Sequence, residues 1–194
     1  MACSAEKNPF RVSCIEDLSF QFSNQCDWNE LITSLARQKF RGAIIGPHGS
    51  GKTTLLLELA EQLRKIEKET YFIQLSDRKR SFSSEEWKRL KCNDVVLLDG
   101  AEQLSCLPWR NLLRAIPRSS GLVVTSHKPL NLPTVYRCES SFQLFRELAC
   151  RLDRRLEDQA ALLLEVYQRH SGNIRQAFFE LYDCCDSYSG EIRP

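Results

Sequence analysis

No stretch of this sequence approaches the roughly 20 consecutive apolar residues that a bilayer-spanning helix needs, and Met1 to Lys7 lacks the apolar core of a secretory signal. A membrane or secreted protein is therefore not expected, and a cytoplasmic one is. An excess of one charge sign is also missing: 27 Lys and Arg stand against 25 Asp and Glu, a formal net charge of +2. A protein that coats nucleic acid, or holds a membrane through a polybasic face, is far less balanced. Among nine cysteines there is no Cys-x-x-Cys pair, and none stands at zinc-ligand spacing from His48, His127 or His170. They read as reduced residues, mostly in the core. Internal repeats and low-complexity linkers are absent as well.

What is present is the balance of an ordinary globular protein, 42% hydrophobic and 27% charged over 194 residues, enough for one domain and a small appendage. Residues 1–26 are polar and irregular, with Asn8-Pro9-Phe10 as a turn signal. From 27 to 140, strand-like and helix-like runs alternate. Asp27 caps a helix running to Lys39, and Gly42–Ile45 is a short strand. A leucine-rich helix spans Thr54–Glu67, Tyr71–Leu75 is a strand, and Ser84–Leu90 is a short helix. Val95–Asp99 and Gly121–Thr125 are apolar on both faces and read as buried strands, with a helix over Trp109–Ile116 between them and a weaker strand at Thr134–Cys138. From 141 to 194 the pattern is helical, over about 141–154, 157–170 and 173–186. Alternation of this kind specifies a mainly parallel five-stranded sheet covered on both faces, a three-layer α/β fold, with a small C-terminal helical subdomain.

Gly46-Pro47-His48-Gly49-Ser50-Gly51-Lys52-Thr53 matches the Walker A pattern at every fixed position, and it lies between an apolar strand and a helix. Glycines at this spacing let successive backbone N–H groups curl around a polyphosphate, toward which the following helix points its positive end. The expected phosphate contacts run from Gly46 to Thr54, with Lys52 on the β and γ phosphates and the Thr53 hydroxyl on Mg²⁺. Val95–Asp99 has the form of a Walker B strand, placing the Asp99 carboxylate on the metal side. Three positions on, Glu102 either orients the attacking water or merely favours the first turn of the next helix.

Taken together these motifs resemble the additional-strand P-loop ATPases, with features of both AAA+ proteins and signal-transduction ATPases, as a small single-domain bacterial-type member. The resemblance covers most of residues 40–180. It implies that the inserted strand ends in a polar sensor, and Thr125-Ser126-His127-Lys128-Pro129 resembles the Thr-Ser-Arg-Pro stretch of signal-transduction ATPases with the arginine displaced. Ser126 or Thr125 is the sensor on that reading, and a plain strand-to-loop transition is the alternative. Ser171-Gly172-Asn173-Ile174-Arg175 is similar to the sensor 2 segment of AAA+ ATPases, which implies that Arg175 reads the terminal phosphate. Without it, Arg175 is a solvated residue on an amphipathic helix. Only the short Lys128–Pro133 segment separates the last two strands, so an arginine-finger helix is missing and ring assembly is not implied.

The function this supports is Mg²⁺-dependent ATP binding with slow hydrolysis, switching an unidentified protein partner. ATP is favoured over GTP because no Asn-Lys-x-Asp guanine-reading motif occurs. A nucleic-acid-associated ATPase is the alternative. It would use the basic cluster Arg78-Lys79-Arg80 and Trp87–Lys91, which otherwise reads as a solvated face. A small-molecule kinase is a further alternative, though Lys128–Pro133 offers little room for an acceptor lid.

Overall fold

The computed structural model describes residues 8–23, 26–76, 81–89 and 94–187. Strands β1 (Arg41–Ile45), β2 (Thr70–Gln74), β3 (Val95–Asp99), β4 (Gly121–Ser126) and β5 (Thr134–Arg137) form one sheet in the order β2-β3-β4-β1-β5. Every neighbouring pair is parallel. β4 therefore lies between β1 and β3, and all strands end at the same edge of the sheet. α2 (Trp28–Arg37) leads into β1, and α3 (Lys52–Lys65), α4 (Ser84–Arg89) and α5 (Cys106–Ala115) link successive strands from β1 to β4.

β3 and β4 are buried at every position because helices cover both faces. On one face Ala43, Ile45, Val96, Leu98, Leu122 and Val124 pack with Leu112 and Ile116 from and after α5. The intervening Ile44, Leu97 and Val123 point the other way. α3 touches β1, β2, β3 and β4 and buries Leu55, Leu56, Leu59 and Leu63, each worth about 1.5–3 kcal/mol when removed from water. This is the three-layer α/β arrangement the strand–helix alternation predicts. Local capping follows the sequence closely. The Asp27 carboxylate accepts from the Glu30 amide at 2.8 Å, and Ser83 and Glu86 form a reciprocal capping box at the start of α4. α5 starts three residues before its apolar pattern does, since Pro108 is tolerated in a first turn.

The chain divides into two compact units. The sheet unit comprises the described residues of 22–46 and 51–138, and the other comprises the described residues of 1–21, 47–50 and 139–194. In that second unit are α1 (Val12–Glu16), α6 (Phe142–Leu152), α7 (Ala160–Arg169) and α8 (Ile174–Ser187). Its core holds Phe10, Phe145, Leu163, Val166, Ile174, Phe178 and Leu181. The Asn8 side chain donates to the Tyr182 carbonyl at 2.9 Å and accepts from the Phe10 amide at 2.9 Å. The Asn8–Phe10 turn is thus pinned to this core. Phe10 is 1% exposed, its ring centroid 6.0 Å from that of Phe178.

The cysteines also depart from expectation. Of those described, only Cys138 is buried, while Cys106 is exposed and Cys14, Cys26, Cys150, Cys184 and Cys185 are half-buried. Among the described residues, no helix is long and apolar enough to cross a membrane. Arg78, Lys79, Arg80, Leu90 and Lys91 of the basic cluster lie outside the described residues.

Candidate functional site

The parallel order brings the ends of β1, β3 and β4 side by side, which is where a doubly covered parallel sheet places its ligands. β1 runs into Gly46, whose amide donates to the Ser126 carbonyl at 3.2 Å, tying the start of the loop to the end of β4. Gly51 caps α3, so Lys52, Thr53 and Thr54 form its first turn. Lys52 is buried. That burial lowers its ammonium from the usual lysine range, against the opposing pull of Cys138, Glu102 and Asp99. A polyphosphate would supply the anionic partner that offsets this desolvation. Burial also pushes the Cys138 thiol up to about 12, despite Lys52, so it remains a neutral packing group.

Asp99, at the end of β3, is the hub. Its Oδ2 accepts from the Thr53 hydroxyl at 2.9 Å and from the Gln74 amide at 3.3 Å, and its Oδ1 accepts from the Thr125 hydroxyl at 2.6 Å. The Thr125 oxygen in turn accepts from the Gly100 amide at 2.8 Å. A buried carboxylate with three donors has a fixed direction as well as a satisfied charge. Thr53 and Asp99 together fit Mg²⁺, which takes one or two protein oxygens and completes its shell with water and phosphate. Among the described residues, no group of three or more His, Cys, Asp or Glu could hold a metal alone.

Gly100 adopts φ +81°, and a Cβ there would lie 3.1 Å from the Leu75 carbonyl oxygen. This left-handed turn converts β3 into a 3₁₀ turn, Ala101–Gln103, and swings Glu102 back toward β4. There the Glu102 Oε1 lies 3.0 Å from His127 Nε2. The other ring nitrogen, Nδ1, is 3.3 Å from Lys52 Nζ and 3.1 Å from the Gly46 carbonyl. Ser126 is fully buried and its hydroxyl accepts from the Lys128 amide at 3.2 Å. Of the two sensor candidates, it is Thr125 that touches the acidic hub.

The loop tip, Pro47–Ser50, belongs to the second unit. Within it the Ser50 hydroxyl donates to the Pro47 carbonyl at 2.9 Å, His48 is exposed, and Gly49 adopts φ +71°. A Cβ on Gly49 would collide with the Asn173 side chain, and it would lie 3.1 Å from the Arg175 amide nitrogen. Asn173 caps α8 by accepting from the Gln176 amide at 3.2 Å. Arg175 is exposed, with its guanidinium 5.9 Å from the centre of the Phe179 ring one turn on. Thus Lys52, Thr53, Asp99, Glu102 and Ser126 gather at one sheet edge, and Asn173 with the Arg175 amide lies against the loop tip. Sequence reasoning missed Gln74, Thr125 as the Asp99 donor, and the ring of His127 between Lys52 and Glu102.

No protein-family model matches the chain, and no curated protein matches it. Solved structures do. A replication initiator DnaA bound to AMPPCP and single-stranded DNA matches 91% of this chain and 65% of its own, with 14% identity and a TM-score of 0.58. AMPPCP-bound DnaA from Aquifex aeolicus matches at 14% identity over 84% of this chain and 62% of its own, TM-score 0.56. NtrX from Brucella abortus matches at 12% identity over 93% and 54%, TM-score 0.59. The chain spans less than two thirds of each of them. At these identities the likeness is one of architecture: the chain has the three-layer α/β fold, built on a parallel five-stranded sheet, that these structures share.

Proposed function

We propose that this protein binds ATP with Mg²⁺ and hydrolyses it slowly, as a nucleotide switch acting on a protein partner. The observation that carries the reading is the 2.9 Å hydrogen bond between Thr53 and Asp99, which joins the Walker A and Walker B elements at the mouth of a buried lysine. In this reading the amides from Gly46 to Thr54 and the Lys52 ammonium hold the phosphates. Thr53 and Asp99 hold the metal, which supplies charge neutralisation of the β and γ phosphates. Glu102 orients water toward the terminal phosphate, Ser126 lies beside it at the end of β4, and Arg175 reports its presence. The AMPPCP-bound neighbours support nucleotide binding.

A second reading, a nucleic-acid-associated ATPase, is favoured by the neighbour that holds single-stranded DNA. Phosphate release from Mg·ATP, alone and with single-stranded DNA, separates the two. The switch reading expects turnover on the order of 10⁻⁴ to 10⁻² s⁻¹, the range of unassisted P-loop NTPases, and no response to DNA. Stimulation of tenfold or more by DNA would replace it with the second reading.

A further inference from the structure

The imidazole of His127 occupies a position with more polar neighbours than it can serve at once. Its Nε2 is 3.0 Å from the Glu102 carboxylate, which only accepts, so Nε2 carries a hydrogen. Its Nδ1 is 3.3 Å from the Lys52 ammonium, which only donates, and 3.1 Å from the Gly46 carbonyl, which only accepts. A neutral ring protonated at Nε2 takes a hydrogen bond from Lys52 and gives one to Glu102. It cannot also donate to Gly46 through the same nitrogen. Both His127 and Glu102 are about a quarter exposed, which leaves the pair open to rearrangement while Lys52 is buried.

Lys52 is the group a polyphosphate would draw away from the ring. When it moves onto phosphate, Nδ1 loses the hydrogen bond it accepts and the ring is no longer held from that side, so the position of Glu102, tied to the ring through Nε2, changes with it. We propose that His127 is a positioning residue that holds Lys52 and Glu102 on one ring before nucleotide enters, so that loading of the phosphates by Lys52 sets the carboxylate of Glu102. The proposal rests on the ATP-binding reading above and deepens it, linking occupancy of the phosphate loop to the residue that orients water.

The linkage has a signature that simple damage to the site lacks. Removing the ring removes one competitor for Lys52, so nucleotide binding tightens, by about 3–10-fold for a single hydrogen bond. The same change unfastens Glu102, so hydrolysis slows, by roughly tenfold, less than the 10²–10⁴ attributed to a positioned base itself. An amide offers an acceptor and a donor on one planar group, as neutral imidazole does. His127→Gln is therefore expected to restore both constants to within about threefold of wild type, whereas His127→Leu shows the split. The measurements are equilibrium binding of a fluorescent ATP analogue with Mg²⁺ and single-turnover hydrolysis, on wild type and both variants. Weaker binding together with slower hydrolysis in His127→Leu, or a glutamine variant no better than leucine, overturns the proposal.

A second readout needs no nucleotide. In the ¹⁵N spectrum of the histidine rings, His127 is expected as the Nε2–H form, with an Nδ1 signal that moves in Lys52→Ala and an Nε2 signal that moves in Glu102→Gln. An Nδ1–H ring in the free protein, unmoved by Lys52→Ala, overturns the proposal. Wild-type protein that binds no nucleotide defeats the ATP reading, and with it the loading step, while the ring spectrum separately decides whether Lys52 and Glu102 share His127.

Discussion

Glu102→Gln is expected to bind Mg·ATP within about twofold of wild type and to hydrolyse it 10²–10⁴-fold more slowly, the usual contribution of a positioned acid–base group. The asymmetry follows from where Glu102 sits. It is on the 3₁₀ turn beyond Gly100, not among the donors that fix Asp99, and its contact is to His127 Nε2 at 3.0 Å. Glutamine keeps the volume and an oxygen that accepts from His127, but it has no negative charge with which to polarise water. Binding and single-turnover hydrolysis measured on the same preparation check it. Hydrolysis within threefold of wild type would return Glu102 to the lesser role of favouring the helical turn that follows.

Thr125→Val is expected to be the most damaging isosteric change at the site. The hydroxyl is buried, donates to Asp99 at 2.6 Å and accepts from the Gly100 amide at 2.8 Å. Valine has the same shape and neither function. It leaves a buried carboxylate oxygen and a backbone N–H each one partner short, at about 1–3 kcal/mol apiece. A loss of about 2–6 kcal/mol lowers the melting temperature by roughly 4–24 °C in a chain of this size. Thr125→Ser keeps the hydroxyl and gives up one methyl, about 1 kcal/mol. Thermal denaturation of the pair discriminates: a valine variant melting within 2 °C of the serine variant would mean that the hydroxyl is not what holds Asp99 and Gly100.

The contrast between Glu102 and Thr125 also shows which parts of the site are legible in the sequence. β3 is found residue for residue at Val95–Asp99 because both of its faces are apolar and an acid ends it. The Walker A loop is legible because its spacing is itself the chemistry, and its strand–helix setting is the one observed. The grouping of Thr125 with Asp99 is different in kind. Alternation along β4 tells which residues share a face, but which strand lies beside it depends on the order β3-β4-β1, a long-range property. Gln74 meets Asp99 for the same reason, since the two residues are register partners of β2 and β3.

Other features were illegible for local reasons. α1 has five residues and no buried position, too few to show a helical period, and the burial of Phe10 depends on helices 130 and more residues away. The His127 contacts require the left-handed turn at Gly100, which redirects Glu102 by 3₁₀ geometry that no spacing rule encodes. Cysteine burial was misjudged because compartment and residue type set an average. The chain instead places Cys106 in the first turn of an amphipathic helix, where it faces solvent.

The central claim is that Lys52, Thr53 and Asp99 form a Mg·ATP site, and equilibrium titration of Mg·ATP into wild type and Lys52→Ala tests it most directly. Lys52 is a buried ammonium that burial holds below its usual range, so phosphate contact is what its position favours. Saturable binding to wild type is expected, dependent on Mg²⁺ and weakened about 100-fold or more in Lys52→Ala, as the loss of charge-assisted hydrogen bonds to two phosphates requires. Binding of equal strength to both proteins, or none to a folded wild type, would contradict it.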